Sequence, residues 1–552
     1  MEKLELVTAR RPTPYLSHIP LACSTHFIEW VPGCTRILFA RTGWGSLRTK
    51  SYSDHPTNTP LPFPKEVFGV EDNIIVEGFS ILSNQSNPSD NVDTKDYLCT
   101  SDFRQAYLSK KTTPLQVCEA LIKRIEESNS LINAVYIINK EDVIEQAKKS
   151  TARYEDERPL GLLDGIPVLV KDEFDVIGYE TKVGTTFIND GNVCEKDATV
   201  IHNLRKLGAI IVGKTIMHEI GLGITSNNPS SLTPRNPHNP DYYCGGSSGG
   251  SACAVAAGLT PIAIGCDGGG SIRVPSSFCG IYGLKPTCGR NSNSGEFPLC
   301  WTVAVSGPMA ICIDDLALAY YAMAGRDEDD PFTYLQPAPT LYNLNQTKDL
   351  SDLKIGIYSA WNKQVYNKSI TIALDNLINQ LKERGANFVE IVIPELKDVQ
   401  AAHLINIFAE HYTSMKNYKD ELYKLSYPIQ AQQVRTRSMK NLATLFNEVD
   451  LILTPVSSVT APKIHPRALK FGEVDSVVAT DVIHFLQLAN FTGIPAITVP
   501  GGYDDNGLPI GLQFMAKWYK EDLLLRIGKA SEEIFKDSRR KPKDGYWFGD
   551  LI

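Results

Sequence analysis

The apolar positions of this chain fall into two kinds of pattern. From residue 113 a Thr-Pro pair is followed by Leu115, Cys118, Leu121, Ile122 and Ile125, which share one face at helical spacing. A hydroxyl residue before proline predicts a helix start: the side chain caps free N–H groups, and proline suits the first turn. Short apolar runs then alternate with helical stretches, at 166–170, a helix over 198–207, 209–212 and 261–265. That alternation predicts an α/β fold with helices on both faces of a sheet. A second stretch of this type lies further on. Ile372, Leu374, Leu377, Ile378 and Leu381 form a helical stripe stopped at Gly385. Residues 388–393 read as a buried strand, and 451–453 and 496–499 as two more.

Residues 1–100 are different in kind. They are rich in Pro, Ser, Asn and Thr with little periodicity, and 83–93 reads as an exposed linker. No repeat of 20–50 residues interrupts the chain.

Composition narrows the functional classes. With 43% apolar and 21% charged residues, the 552-residue chain is neither disordered nor fibrous. Its 55 Lys+Arg against 63 Asp+Glu lack the basic excess of a nucleic-acid binder, so no nucleic-acid partner is expected. The 12 cysteines contain no CxxC pair, so no zinc or disulfide framework is expected. Free thiols, and a charged start without a following apolar core, predict an intracellular protein. No run of about 18 apolar residues spans a bilayer. The nearest candidate, 15–40, is broken by Glu29, Arg36, His18 and His26, and either lies on a membrane surface or packs on the core.

The chemistry concentrates in 244–287, CGGSSGGSACAVAAGLTPIAIGCDGGGSIRVPSSFCGIYGLKPT. Two Gly-Ser clusters flank a short helix over about 250–257 and the strand 261–265. Glycine is used where backbone must approach a ligand closely. In Asp267-Gly268-Gly269-Gly270-Ser271 the N–H groups can converge on one point beside a helix beginning near Ile272. A hydroxyl among such donors suits acyl transfer: Ser271 attacks a carbonyl and the N–H groups hold the developing oxyanion. No histidine lies in the stretch to act as base. Lys171 follows an apolar strand, and burial there favours the neutral amine. Ser247 is placed to relay a proton between Lys171 and Ser271. A G-x-S-x-G elbow needs a strand before its serine, where this chain has a proline-broken loop. A phosphate-binding P-loop lacks its Lys-Ser/Thr.

The strand-end lysine, the GGSSGGS loop and the run DGGGSIRVPSSFCGIYGLKPT resemble the amidase signature family of serine hydrolases. The 24 positions between Ser247 and Ser271 match that family's spacing. Within it the chain is most similar to the plant-type fatty acid amide hydrolases, through LDGIPVLVKDE, GKTIMHEIGLGITSNNPSS, TPRNPH and LANFTGIPAITVPGGYDDNGLPIGLQ. The likeness is close over about 101–325, weaker over 350–400 and clear again over about 448–520. It implies a large central mixed sheet covered by helices on both faces, with a catalytic domain at 101–540 behind an N-terminal extension at 1–100. It also implies Ser271 as acyl-enzyme nucleophile, Ser247 as shuttle after a cis peptide, and Lys171 as base. The N–H groups of Gly268, Gly269, Gly270 and Ser271 would form the oxyanion hole, and Asp267 and Arg273 would be structural charges. No metal or cofactor is implied. The implied substrate is a small amide, lipid-like and typified by fatty acid amides and N-acylethanolamines. Peripheral membrane contact and a homodimer are compatible with it. The alternative within the family is the glutamine-hydrolysing component of a glutamyl-tRNA amidotransferase.

Overall fold

A computed structural model describes residues 97–552, apart from 335, 415–426, 474 and 544, together with Asp54, Pro56 and Thr57. The proposed extension, including 15–40 and the 83–93 linker, lies almost wholly outside the described residues.

Among the described residues eleven strands form one mixed sheet in the order β1-β3-β2-β4-β6-β5-β10-β11-β9-β7-β8. In chain order they are β1 (Val135–Ile138), β2 (Pro167–Lys171), β3 (Ile210–Thr215), β4 (Ile262–Cys266), β5 (Tyr282–Lys285), β6 (Ser306–Ala310), β7 (Lys354–Ile357), β8 (Asn387–Glu390), β9 (Leu451–Pro455), β10 (Ala496–Tyr503) and β11 (Pro509–Ala516). The helices that matter below are α1 (Pro114–Asn129), α2 (Thr199–Lys206), α3 (Gly249–Ala256), α4 (Arg273–Cys279), α5 (Lys368–Glu383), α6 (Leu396–Ser414), α7 (Tyr427–Leu445), α8 (Gln487–Thr492) and α9 (Glu521–Phe535).

The cap predicted for α1 is present. Thr113 accepts from the Gln116 N–H, Gln116 reaches back to the Thr113 N–H, and Val117, Cys118, Leu121 and Ile125 are buried. α3 carries no polar face, and each of its residues is buried, as for a helix enclosed by the fold. Its Gly250 is obligatory, because a Cβ there would sit 2.5 Å from the Ala134 and Ile216 carbonyl oxygens.

Two expectations for the distal stretch are corrected. Ile372 is 59% exposed; the buried stripe of α5 runs through Ile370, Ala373, Leu374, Leu377 and Leu381. The strand at 388–393 is a half-exposed edge strand, β8, ending at Glu390, and only Ile391 and Ile393 beyond it are buried. An edge strand pairs on one side alone, which leaves its other side to solvent. At the far end of the chain the packed body continues past residue 540. Phe548 and Leu551 are buried, and the Phe548 N–H donates to the Ala257 carbonyl behind α3.

Candidate active site

Strand direction assembles the site. β2 and β4 are parallel neighbours, Val168 opposite Ile262 and Val170 opposite Ile264, so both end at one edge of the sheet. The carboxyl ends of such strands are where α/β sheets open a ligand crevice. Lys171 closes β2, and the loop Asp267–Ser271 leaves β4.

The structure joins the predicted lysine to the predicted shuttle. Lys171 Nζ donates to Ser247 Oγ at 2.9 Å and to the Cys266 carbonyl at 3.3 Å, and both side chains are 1% exposed. The Gly246–Ser247 peptide is cis, as the resemblance implies. The Ser247 carbonyl accepts from the His218 N–H at 3.1 Å and the Ser226 hydroxyl at 3.1 Å. Ser226 Oγ also accepts from the Gly249 N–H at 3.0 Å, which fastens the loop to the start of α3. The two serine loops are tied by the Ser248 N–H, which donates to the Ser271 carbonyl at 3.2 Å. Ser271 is half-buried, and its hydroxyl makes no hydrogen bond among the described residues.

The two charges expected to brace the loop are paired with each other. Arg273 Nε lies 3.0 Å from Asp267 Oδ2 and Nη2 lies 3.0 Å from Oδ1, with both residues fully buried. Asp267 Oδ2 also accepts the N–H groups of Ile272 and Arg273 at the head of α4. Burial opposes a charge on Asp267, but the Arg273 guanidinium outweighs it and holds the carboxyl well below the usual carboxylate range. Gly270 departs from its expected role. Its N–H donates to Asp267 Oδ1 at 2.7 Å, so that donor is already engaged. The N–H groups of Gly268, Gly269 and Ser271 have no partner among the described residues. The glycine at 270 is required on two counts: φ is +114°, and a Cβ would lie 2.3 Å from Leu486 Cδ1.

Lys171 stands in a setting that its strand alone does not disclose. Glu173 Oε2 is 2.5 Å from its Nζ. Cys266 donates its thiol to Glu296 Oε1 at 2.7 Å, and the ligand atoms of Glu173, Cys266 and Glu296 lie within 4.8 Å of one another. Such a set resembles a metal cradle, but the Lys171 ammonium supplies positive charge there. Burial disfavours charge on Lys171; Glu173, Cys266 and Glu296 together outweigh it, and its pKa lies above the ordinary lysine value. The expectation that desolvation lowers it is therefore reversed. Burial, reinforced by Glu173, pushes the Glu296 carboxyl up to about 8. His218 is pushed down to about 4 by burial and by Lys171. Glu173, two positions beyond the lysine, had a sequence signal in Lys-x-Glu at a strand end; Glu296 had none.

Comparison with known proteins identifies the family. The family model described as Amidase matches residues 116–428 and 414–525. The chain belongs to the amidase family. It is 40% identical over 477 residues to a fatty acid amide hydrolase of Arabidopsis thaliana, covering 82% of this chain and 78% of that protein. A glutamyl-tRNA(Gln) amidotransferase component of Fusobacterium nucleatum is a more distant relative, 31% identical over 478 residues and covering 79% of this chain and 96% of that protein. Among solved structures, a bacterial aryl acylamidase of the amidase signature enzymes superposes with a TM-score of 0.70 at 25% identity, covering 80% of this chain and 98% of that one. This amidase, like its family, is a hydrolase of amide carbon–nitrogen bonds. No described helix is long and apolar enough to cross a membrane. None of the ten described cysteines forms a disulfide.

Proposed function

We propose that this amidase hydrolyses fatty acid amides, N-acylethanolamines among them, through a Lys171–Ser247–Ser271 relay and an acyl-enzyme intermediate. The observation that carries the reading is the buried hydrogen bond from Lys171 to Ser247 beside the Ser271 loop, whose three free N–H groups suit an oxyanion. In the first half-reaction Ser271 Oγ attacks the amide carbonyl. Its proton passes to Ser247, and that of Ser247 to Lys171 once the amine has shed its own proton, a step that the neighbouring Glu173 shifts to alkaline pH. The N–H groups of Gly268, Gly269 and Ser271 hold the oxyanion. The relay then runs backwards, the leaving nitrogen takes the proton, the carbon–nitrogen bond breaks, and an ester remains on Ser271. Water attacks the ester by the same relay and frees the fatty acid. The substrate class is supported by 40% identity to a fatty acid amide hydrolase over most of the chain. The same reading is compatible with an intracellular enzyme that pairs as a homodimer and touches the membrane holding its substrate, which vesicle flotation and sedimentation test.

The deciding experiment is labelling with a fluorophosphonate and peptide mapping, run beside a panel of N-acylethanolamines and glutamine. Labelling at Ser271, lost in Ser271→Ala and slowed in Lys171→Ala, is expected, with acylethanolamine turnover well above that of glutamine. Faster glutamine hydrolysis, together with co-purification of a partner protein, would favour the amidotransferase-like reading that the Fusobacterium relative brings.

A further inference from the structure

The glycine loop is clamped from the distant half of the chain, and one clamp is a histidine that the relay leaves unused. His403 on α6 is 2% exposed, and its Nε2 lies 2.9 Å from the Gly268 carbonyl oxygen. A carbonyl only accepts, so Nε2 carries the proton. Nδ1 is then a bare acceptor, buried and without a partner among the described residues. Burial, with Arg435 and Arg273 adding to it, pushes the ring down to about 4, so the imidazole is neutral at ordinary pH. Phe491 packs against the ring at a centroid distance of 6.4 Å and an interplanar angle of 85°, which fixes its plane.

In a trans peptide the C=O and N–H point in opposite directions. A hydrogen bond on the Gly268 oxygen therefore sets the direction of the Gly269 N–H, at a residue that otherwise rotates freely. The preceding peptide is held in the same manner, because Asn490 Nδ2 on α8 donates to the Asp267 carbonyl at 2.8 Å. We infer that His403 is a positioning residue of the oxyanion hole: its Nε2–H holds the Gly268–Gly269 peptide so that the Gly269 N–H is turned towards the substrate's carbonyl oxygen. The inference rests on the serine amidase reading of Ser271.

The test compares full-length H403Q and H403N with the unsubstituted enzyme. The glutamine amide nitrogen reaches as far as Nε2, whereas that of asparagine stops near Nδ1. H403N is expected to lose about 100-fold in kcat with KM within about threefold, and H403Q to keep kcat within about tenfold. A trifluoromethyl ketone, which forms a tetrahedral adduct on the serine, should lose affinity for H403N in step with kcat. A non-reactive alcohol of the same chain length should bind unchanged. The inference is overturned if H403N keeps kcat within about threefold, if H403Q falls as far as H403N, or if ketone and alcohol weaken equally. Should H403N not fold, H403Q decides: retained ketone affinity supports the role, and its loss at an unchanged melting temperature overturns it. Failure of the underlying serine reading is seen separately, as absence of fluorophosphonate labelling at Ser271 in the unsubstituted enzyme.

Discussion

Two regions of the molecule handle charge in opposite ways. Around β2, β3 and β4 the ion pairs are sealed in: Asp267–Arg273, Lys214–Asp172 and Lys171–Glu173 each have both side chains 3% exposed or less. Around the distal edge the pairs are partly or largely wet, as with Lys348–Glu533, where the lysine is 81% exposed, and Arg384–Glu533. A sealed charge that loses its partner has no water to turn to, while an exposed one exchanges a neighbour for solvent. The difference teaches that the catalytic edge keeps its charges out of water, whereas the distal edge leaves them in it.

The comparison is broken most sharply at Arg273. Arg273→Met leaves the Asp267 carboxylate buried and unpaired, and chemical denaturation should show a loss of about 3–5 kcal/mol. Activity should fall with it, because Gly270 is anchored on the same carboxylate. Glu296 is the next lever. Its folded pKa of about 8 stands above the ordinary 4.5, so between those values the folded state holds a proton that the unfolded state has lost. Its contribution to stability is full below about 4.5 and is lost as pH rises to about 8. Glu296→Gln should remove that slope, and denaturation at pH 5 and pH 8 should differ from the unsubstituted enzyme on the order of 2 kcal/mol.

Glu173→Gln reads the same cluster through the reaction. With a neutral lysine as base, the rate of the unsubstituted enzyme climbs on the alkaline side as Lys171 loses its proton. Removing the Glu173 charge takes away the anion nearest the ammonium and lowers the lysine pKa, so the climb in kcat/KM should begin about one pH unit lower. A profile in the same place would show that Glu173 does not set the charge of the base. At the distal edge the smallest effects are expected. Ile372→Ala, on the exposed face of α5, should change stability by about 0.5 kcal/mol or less. Lys348→Ala should leave the melting temperature unchanged. A large loss from either would erase the contrast.

Much of the catalytic edge is legible in the sequence because its signals are local. The Thr113 cap, the apolar runs of β2 and β4, and the Gly-Ser loops each declare themselves within a few residues. β5 and β6, Tyr-Gly-Leu-Lys and Ser-Gly-Pro-Met-Ala, carry no such pattern and exist because distant strands pair with them. Periodicity misplaces the distal stripe at Ile372 because helical spacing defines a face only to within about a residue either way. The charge of Lys171 is only partly legible: Glu173 stands two positions beyond it in the sequence, but Cys266 and Glu296 come to it through the fold. His403 has no sequence signal at all, since what gives it meaning is a carbonyl 135 positions away.

The last residues of the chain also bear on how the protein is handled at the bench. Trp547 sits where a Cβ on Gly258 would come within 2.6 Å of its ring, and Phe548 is stitched to Ala257, so the tail plugs the rear of the helix that launches from the serine loop. Trimming at 545 would uncork that helix from behind.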